Sequence, residues 1–110
     1  MSAIVTLIER KRARTEEIRA GIASLRGQLA DYGKTHGGRF WLYGSAVTGR
    51  IHFESDIDIL TDFSPERTAL AIDFVETACA TLRLKADVQP KTWCTPSHLK
   101  KISATALVVP

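Results

Sequence analysis

The stretch FWLYGSAVTGRIHFESDIDIL, residues 40–60, decides the fold of this chain and carries its candidate chemistry. Its aromatic run at residues 40–43 predicts a buried strand, because aromatic side chains are enriched in strands. The chain then breaks at Gly44-Ser45 and turns again at Gly49, and Ser45–Thr48 between them predicts a short helical turn. We therefore expect a strand that leads into a tight turn bounded by glycines.

The second half of the stretch predicts a strand over residues 56–63 with two chemically different faces. Because strand side chains alternate between faces, Asp56 and Asp58 lie on one face, and Ile57 and Ile59 lie on the other. Two adjacent carboxylates repel each other unless a cation or solvent compensates their charge. Carboxylate oxygens are good ligands for divalent cations, so the pair is a candidate metal site.

A long helix is predicted before this stretch, from about residue 3 to residue 32. Such a helix is about 45 Å long at 1.5 Å per residue, so we expect its N-terminal third, with the basic residues Arg10-Lys11-Arg12 and Arg14, to overhang the body or meet a partner. The helix should end near Gly33 or by Gly37-Gly38. Its apolar residues form one stripe, Ile18, Ile22, Leu25, Leu29 and Tyr32, which Ile4 and Ile8 extend less regularly.

A second helix is predicted directly after residues 56–63. Ser64 suits its N-cap, Pro65 its first position and Glu66 its first turn. We expect its inward face to consist of Leu70, Phe74, Ala78 and Leu82, flanked by Ile72 and Val75.

The remaining third of the chain predicts short elements. A strand at about residues 84–88 should end before Pro90, and a last helix should begin at Thr95 or Ser97 with Leu99 and Ile102 inward. Residues 106–109 are an apolar run that predicts a short strand or a packed tail. Alternating helices and short strands predict an α/β or α+β sheet with helices on one or both faces.

Composition narrows the classes of protein. The 110 residues, 45% hydrophobic and 25% charged, predict one globular domain over 1–110, with a helix over 1–36 and a sheet-containing core over 40–110. No apolar run reaches the roughly 20 residues of a membrane span, and Cys79 and Cys94 lack the spacing of a metal site or a disulfide framework. We therefore expect no membrane contact and a cytoplasmic location. The net charge of +3 permits attraction to phosphates or to an acidic partner.

Three features together predict a phosphoryl- or nucleotidyl-transfer site. Gly44-Ser45 follows a strand and can open a turn whose backbone N–H groups hold a phosphate. Asp56 and Asp58 follow as candidate metal ligands, and Asp87 joins them if its strand lies beside residues 56–63. In such a site metal ions neutralise developing charge and align the attacking and leaving oxygens. Asp62 and Asp73, in contrast, are expected to be surface charges.

Gly44-Ser45, Gly49 and residues 55–60 resemble the Gly-Ser…Asp-hydrophobic-Asp signature of the DNA polymerase β-like nucleotidyltransferase superfamily. Their spacing and the small size of the chain resemble its minimal nucleotidyltransferase (MNT) branch, most sharply over residues 43–62. The resemblance implies the polymerase β-like fold: a small mixed β-sheet with helices packed mainly on one face. A long N-terminal helix precedes that core here.

The resemblance also implies roles for individual residues. Asp56, Asp58 and Asp87 would be the catalytic carboxylates that bind Mg²⁺, as a two-metal site, and Asp87 would either bridge metal or act as base towards the acceptor hydroxyl. The nucleotide would be bound by Gly44, Ser45, Gly49, Arg50 and Ser55, with Gly44 and Ser45 holding the β- and γ-phosphates.

One position departs from the family pattern. Many members read Gly-Ser-x-Ala-Arg-Gly, whereas Thr48 precedes Gly49 here and the nearest basic residue is Arg50. An arginine before the second glycine could assist with the triphosphate. Its displacement weakens the expectation of vigorous catalysis and leaves the metal ligands in place.

The activity that the resemblance implies is Mg²⁺-dependent transfer of AMP from ATP to a hydroxyl group. The acceptor would be a tyrosine of a helical HEPN toxin, and the protein would be the antitoxin that modifies this partner. One alternative is a non-catalytic antitoxin or binding module that covers its partner, with the basic helix as docking element. Another is a small-molecule nucleotidyltransferase resembling the aminoglycoside-modifying enzymes, completed by a partner chain. About 110 residues leave no room for an acceptor-binding domain. Nucleic-acid binding is not expected, since the basic cluster lacks interleaved aromatics; a homo-oligomer stays open.

Overall fold

The structure, a computed structural model, describes residues 3–109 of the chain. The elements alternate between helices and short strands, as predicted. In chain order they are α1 (Ala3–His36), β1 (Arg39–Tyr43), α2 (Ser45–Thr48), β2 (Asp56–Asp62), α3 (Pro65–Thr81), β3 (Lys85–Pro90), a 3-10 helix (Lys91–Trp93), α4 (Pro96–Ser103) and β4 (Leu107–Val109).

The four strands form one mixed sheet in the order β3-β2-β1-β4. The central strand β2 pairs antiparallel with β1 and parallel with β3, and β1 pairs antiparallel with β4. A long helix α1 precedes this sheet, and α1 and α3 both contribute to the core on one of its faces. This arrangement confirms the predicted α+β architecture, which is that of the polymerase β-like nucleotidyltransferase fold.

The core lies between the helices and one face of the sheet. Phe40 and Leu42 of β1 and Ile57 and Ile59 of β2 are fully buried there. The predicted stripe of α1 packs against them, and its members Ile18, Ile22, Leu25 and Leu29 are buried while Tyr32 is half-buried. The aromatic run of β1 was predicted to be buried, but only half of it is. Because strand side chains alternate, Phe40 and Leu42 face the core, and Trp41 and Tyr43 face the other way.

Helix α1 is longer than the core it covers. It passes Gly33 and ends at His36, where Gly37 adopts a left-handed φ of 72° and the Gly37 and Gly38 amides both donate to the Gly33 carbonyl. At the other end Ile18 is the first buried residue from position 5 onwards, where the burial of side chains is described, and residues 9–13 are all exposed. The predicted overhang is therefore present. Ile8 is 50% exposed and does not extend the stripe, and the side chain of Ile4 lies outside the described residues.

Helix α3 packs on the core through a stripe that differs in part from the predicted one, since Ala78 and Val75 are buried as predicted. Leu70, predicted to point inward, is 65% exposed. Its place is taken by the smaller neighbour Ala71, and Phe74 and Leu82 pack only at the margin of the core. Small side chains allow the helix to lie close to the sheet, so the buried residues of α3 are Ala71, Val75, Ala78 and Cys79.

Strand β3 is shifted towards the C-terminus relative to its prediction. It begins at Lys85 and includes Pro90, which is in register with Thr61 of β2. Because β3 is an edge strand, the missing N–H of Pro90 removes no bond from the interior of the sheet. Leu84 lies before the strand and is buried against Gly21 of α1.

The C-terminal elements match their predictions. The side-chain hydroxyl of Thr95 accepts a hydrogen bond from the His98 amide at 3.2 Å, so Thr95 is the N-cap of α4. Ile102 is buried, and residues 107–109 form β4 rather than a loose tail. Among the helices of residues 3–109, none has the length and apolar character needed to cross a bilayer.

Two glycines inside α1 give a paired test of this packing. A Cβ at Gly27 would meet no atom within 4 Å, so Gly27→Ala should stabilise the chain by about 0.5–1 kcal/mol through helix propensity alone. A Cβ at Gly21 would lie 3.0 Å from Leu84 Cδ2, so Gly21→Ala must displace Leu84 and should give no such gain. Urea unfolding of both variants measures the difference. Equal stabilisation by both would contradict the described contact between α1 and Leu84.

Candidate active site

The face of the sheet that points away from α1 and α3 carries the candidate chemistry. In the β1–β2 register Tyr43 lies opposite Asp58, and in the β2–β3 register Asp58 lies opposite Asp87. Directly opposed residues of paired strands project to the same face. One row, Tyr43–Asp58–Asp87, therefore crosses three strands, and Asp56 lies on the same face two residues before Asp58. The prediction that β3 places Asp87 beside the Asp56–Asp58 pair is confirmed.

The carboxylates of this face are close enough to influence each other. Asp56 and Asp87 are exposed, and Asp58 between them is half-buried. Burial raises the pKa of Asp58 above its usual value, and the negative charges of Asp87 and Asp56 raise it further. The fold therefore brings the three carboxylates close together on this face of the sheet.

Gly44 allows the turn after β1 to lie against Asp58. Its backbone has φ 72° and ψ −144°, a conformation that side chains strongly disfavour. A Cβ at this position would also lie within 2.4 Å of Asp58 Oδ2. The turn and the Asp58 carboxylate are therefore in contact, and no residue with a side chain fits at position 44.

The loop from α2 to β2 contains the other predicted nucleotide ligands. The Ser45 hydroxyl donates to the Asp56 carbonyl at 3.4 Å, which ties the start of α2 to the start of β2. Gly49 has a left-handed φ of 79° after α2, and Arg50 is exposed. Ser55 is 6% exposed, and its hydroxyl accepts from the His52 amide at 2.8 Å. The hydroxyl of Ser55 thus closes the loop, and its nucleotide role stays a prediction.

The N-terminal half of helix α1 contacts the loop between α2 and β2. The Lys11 ammonium lies 4.8 Å from the centre of the Phe53 ring, a cation–π contact. One turn later the Arg14 guanidinium donates to the carbonyl of Arg83, just before β3. The base of the overhang is therefore fixed beside both segments that lead into the carboxylate strands.

Tyr43 is a residue of this face that the sequence reasoning missed. It is half-buried beside the carboxylates, and burial together with Asp58, Asp87 and Cys94 raises its pKa to about 12. The signal was present in the sequence, because Tyr43 directly precedes Gly44 and a strand residue two positions from Trp41 must share its face. The prediction that the aromatic run is buried in the core is therefore wrong for Tyr43.

Asp62, predicted to be a surface charge, is half-buried and makes contacts with two side chains. Its Oδ2 accepts a hydrogen bond from Trp41 Nε1 at 3.3 Å and lies 3.5 Å from Lys91 Nζ. Lys91 in turn lies 4.7 Å from the centre of the Trp41 ring. These contacts hold the 3-10 helix after β3 against the same face of the sheet, next to the carboxylate row.

The three carboxylates of the row are suitable ligands for a divalent cation. Among residues 3–109 no three His, Cys, Asp or Glu side chains form a preassembled group for a metal ion. However, Asp56, Asp58 and Asp87 are hard oxygen donors on one face, and after burial the charges of Asp87 and Asp56 contribute to the raised pKa of Asp58. A divalent cation bound among them would relieve that repulsion.

The repulsion predicts that removal of the Asp58 charge stabilises the fold. Since the folded state raises the pKa of Asp58, the ionised form is destabilising, and stability is gained as the pH falls through that raised pKa. Asp58→Asn should raise the free energy of unfolding at pH 7 by about 1 kcal/mol or less, because water screens a half-exposed group. The difference from wild type should shrink as Asp58 becomes protonated.

Urea unfolding over a pH series measures this effect, and Asp73→Asn is the matched control. Asp73 is an exposed carboxylate of α3 outside the row, so its loss should not stabilise the chain. A destabilised Asp58→Asn variant would contradict the described repulsion.

Comparison with known proteins agrees with this geometry. The model of one protein family, described as nucleotidyltransferase domain, matches residues 22–105, about three quarters of the chain. The match includes the glycine turn, the three carboxylates and the C-terminal elements as far as the end of α4. No curated protein matches the sequence significantly. The chain therefore belongs to the nucleotidyltransferase domain family, which makes it a transferase of nucleoside monophosphate groups.

Proposed function

We propose that this protein is a Mg²⁺-dependent nucleotidyltransferase of the minimal branch that transfers AMP from ATP to a hydroxyl of a partner protein. The acceptor in this proposal is a tyrosine of a helical HEPN toxin, which makes the protein an antitoxin that acts in the cytoplasm. The observation that carries the proposal is the adjacency of the Gly44 turn and Asp58, with Asp87 in register on the next strand.

In this proposal some residues of the site bind the nucleotide and others act on the acceptor. Gly44 and Ser45 would hold the β- and γ-phosphates, because glycine lets the backbone approach and the first amides of a helix lack internal acceptors. Gly49 and Arg50 would border the triphosphate. The acceptor oxygen attacks the α-phosphorus, the bond to pyrophosphate breaks, and Asp87 takes the hydroxyl proton. Asp87 suits this role because it is exposed at the edge strand, where a second protein can reach it.

Asp56, Asp58 and Asp87 would hold the Mg²⁺ ions through their carboxylate oxygens. When bound, the ions supply positive charge that neutralises the phosphates and orients them. The carboxylates are carried by strands rather than loops, so the register of the sheet sets their spacing.

The direct test uses ATP labelled in its α-phosphate, Mg²⁺ and the purified product of the gene next to this one. We expect that product to be a helical HEPN protein and to carry the label on a tyrosine. Asp56→Asn and Asp58→Asn should lower the labelling rate by about 100-fold or more, the scale of losing one charge-stabilising group of an active site.

Asp73→Asn, whose carboxylate lies outside the row, should label at the wild-type rate. Labelling that survives both Asp56→Asn and Asp58→Asn would remove these residues from the mechanism. The absence of label with any acceptor would refute the proposed transfer.

A second candidate function is supported by the overhang of α1. Leu7 and Ile8 are 51% and 50% exposed there, although apolar side chains of this size are usually covered. Arg10 and Arg12 are exposed, and none of the ion pairs among residues 3–109 involves them. An apolar and basic helix end fits an acidic groove on a partner, so the protein could neutralise a toxin by covering it without chemistry.

Toxin neutralisation in cells separates the two functions. If covering is sufficient, Asp58→Asn still neutralises the toxin, and the double variant Arg10→Glu/Arg12→Glu does not. Arg26→Glu, a single charge reversal at an exposed position in the packed part of α1, is the control and should neutralise. Loss of neutralisation in Asp58→Asn alone would exclude the covering mechanism.

A further inference from the structure

Tyr43 occupies a defined place between the two halves of the candidate site. It is the last residue of β1 and is bonded directly to Gly44, the first residue of the glycine turn. It is also the β1 partner of Asp58, whose β3 partner is Asp87. Tyr43 is therefore at the end of the row that adjoins the glycine turn, and Asp87 is at the opposite end.

The chemistry of Tyr43 differs from that of its neighbours. Asp56, Asp58 and Asp87 are hydrogen-bond acceptors when ionised, whereas a protonated phenol can donate. A tyrosine hydroxyl has an ordinary pKa of about 10, so it carries a proton at neutral pH and can donate it in a hydrogen bond. Among residues 3–109 no group is hydrogen-bonded to this hydroxyl. A half-buried donor without a partner is thus available to a ligand with acceptor oxygens.

A nucleoside triphosphate presents such oxygens at this position. A ligand whose phosphates contact Gly44-Ser45 and whose reacting end lies at Asp58 must pass the side chain of Tyr43, since Tyr43 adjoins both. We propose that the Tyr43 hydroxyl donates a hydrogen bond to a non-bridging phosphate oxygen of the nucleotide and so positions the phosphate chain against the carboxylate row. This inference rests on the nucleotide site of the proposed function and adds a residue to it.

Tyr43→Phe tests the inference because it keeps the ring and removes only the hydroxyl. The hydroxyl makes no hydrogen bond within the described chain, so the temperature of unfolding should stay at its wild-type value. The dissociation constant of ATP in the presence of Mg²⁺, measured by calorimetry, should rise about 10-fold, as for loss of a hydrogen bond to a charged group. In turnover the variant should raise the KM for ATP more than it lowers kcat.

The second tyrosine of the chain supplies the matched control. Tyr32 is half-buried in an aromatic cluster on the helical side, where its ring stacks on Phe74 at 4.2 Å between centroids. Tyr32→Phe should bind ATP as the wild type does. Equal ATP affinity of the Tyr43→Phe variant and the wild type, or no ATP binding by the wild type, would overturn the inference.

These outcomes are distinct from those that test the proposed transfer. A 10-fold loss of ATP affinity in Tyr43→Phe, without label on any acceptor, would support the role of Tyr43 and refute the transfer. Undiminished ATP affinity together with efficient labelling would refute the role of Tyr43 and leave the transfer in place.

Discussion

The register of the central strand β2 is the constraint on which both the core and the candidate site depend. Because side chains alternate along a strand, the same pairing buries Ile57 and Ile59 under the helices and places Asp56 and Asp58 on the opposite face. A slip of one residue would exchange these sets and bury two carboxylates. The apolar residues thus fix the position of the acidic ones, and the stability of the core secures the geometry of the site.

The site itself opposes folding. Burial raises the pKa of Asp58, and the charges of Asp87 and Asp56 raise it further. The interactions that hold the surrounding elements are in the core on the far side of the sheet and, beside the row on its own face, in the contacts of Asp62 with Trp41 and Lys91. A concentration of like charge without internal compensation is typical of sites that act on charged ligands.

The sequence predicted the elements and the carboxylates well because both follow from local patterns. Period-two alternation separated Asp56 from Ile57, and the glycine turn marked the end of β1. The predictions for Leu70 and Tyr43 were wrong because their environments depend on tertiary packing. Ala71 rather than Leu70 faces the sheet, since its small side chain lets α3 approach closely. Tyr43 lies beside the carboxylates because its cross-strand partner is Asp58. The roles of the site residues in catalysis remain predictions that no feature of the fold alone can supply.

The most direct test of the account is the response of folding stability to Mg²⁺. Ligands that bind the native state raise the unfolding temperature, and a cation among Asp56, Asp58 and Asp87 would also relieve their repulsion. Thermal unfolding with and without millimolar Mg²⁺ should therefore show stabilisation of the wild type and of Asp73→Asn, and little stabilisation of Asp87→Asn. Stabilisation of Asp87→Asn equal to that of wild type, or no response of the wild type, would contradict the assignment of this row as the metal site.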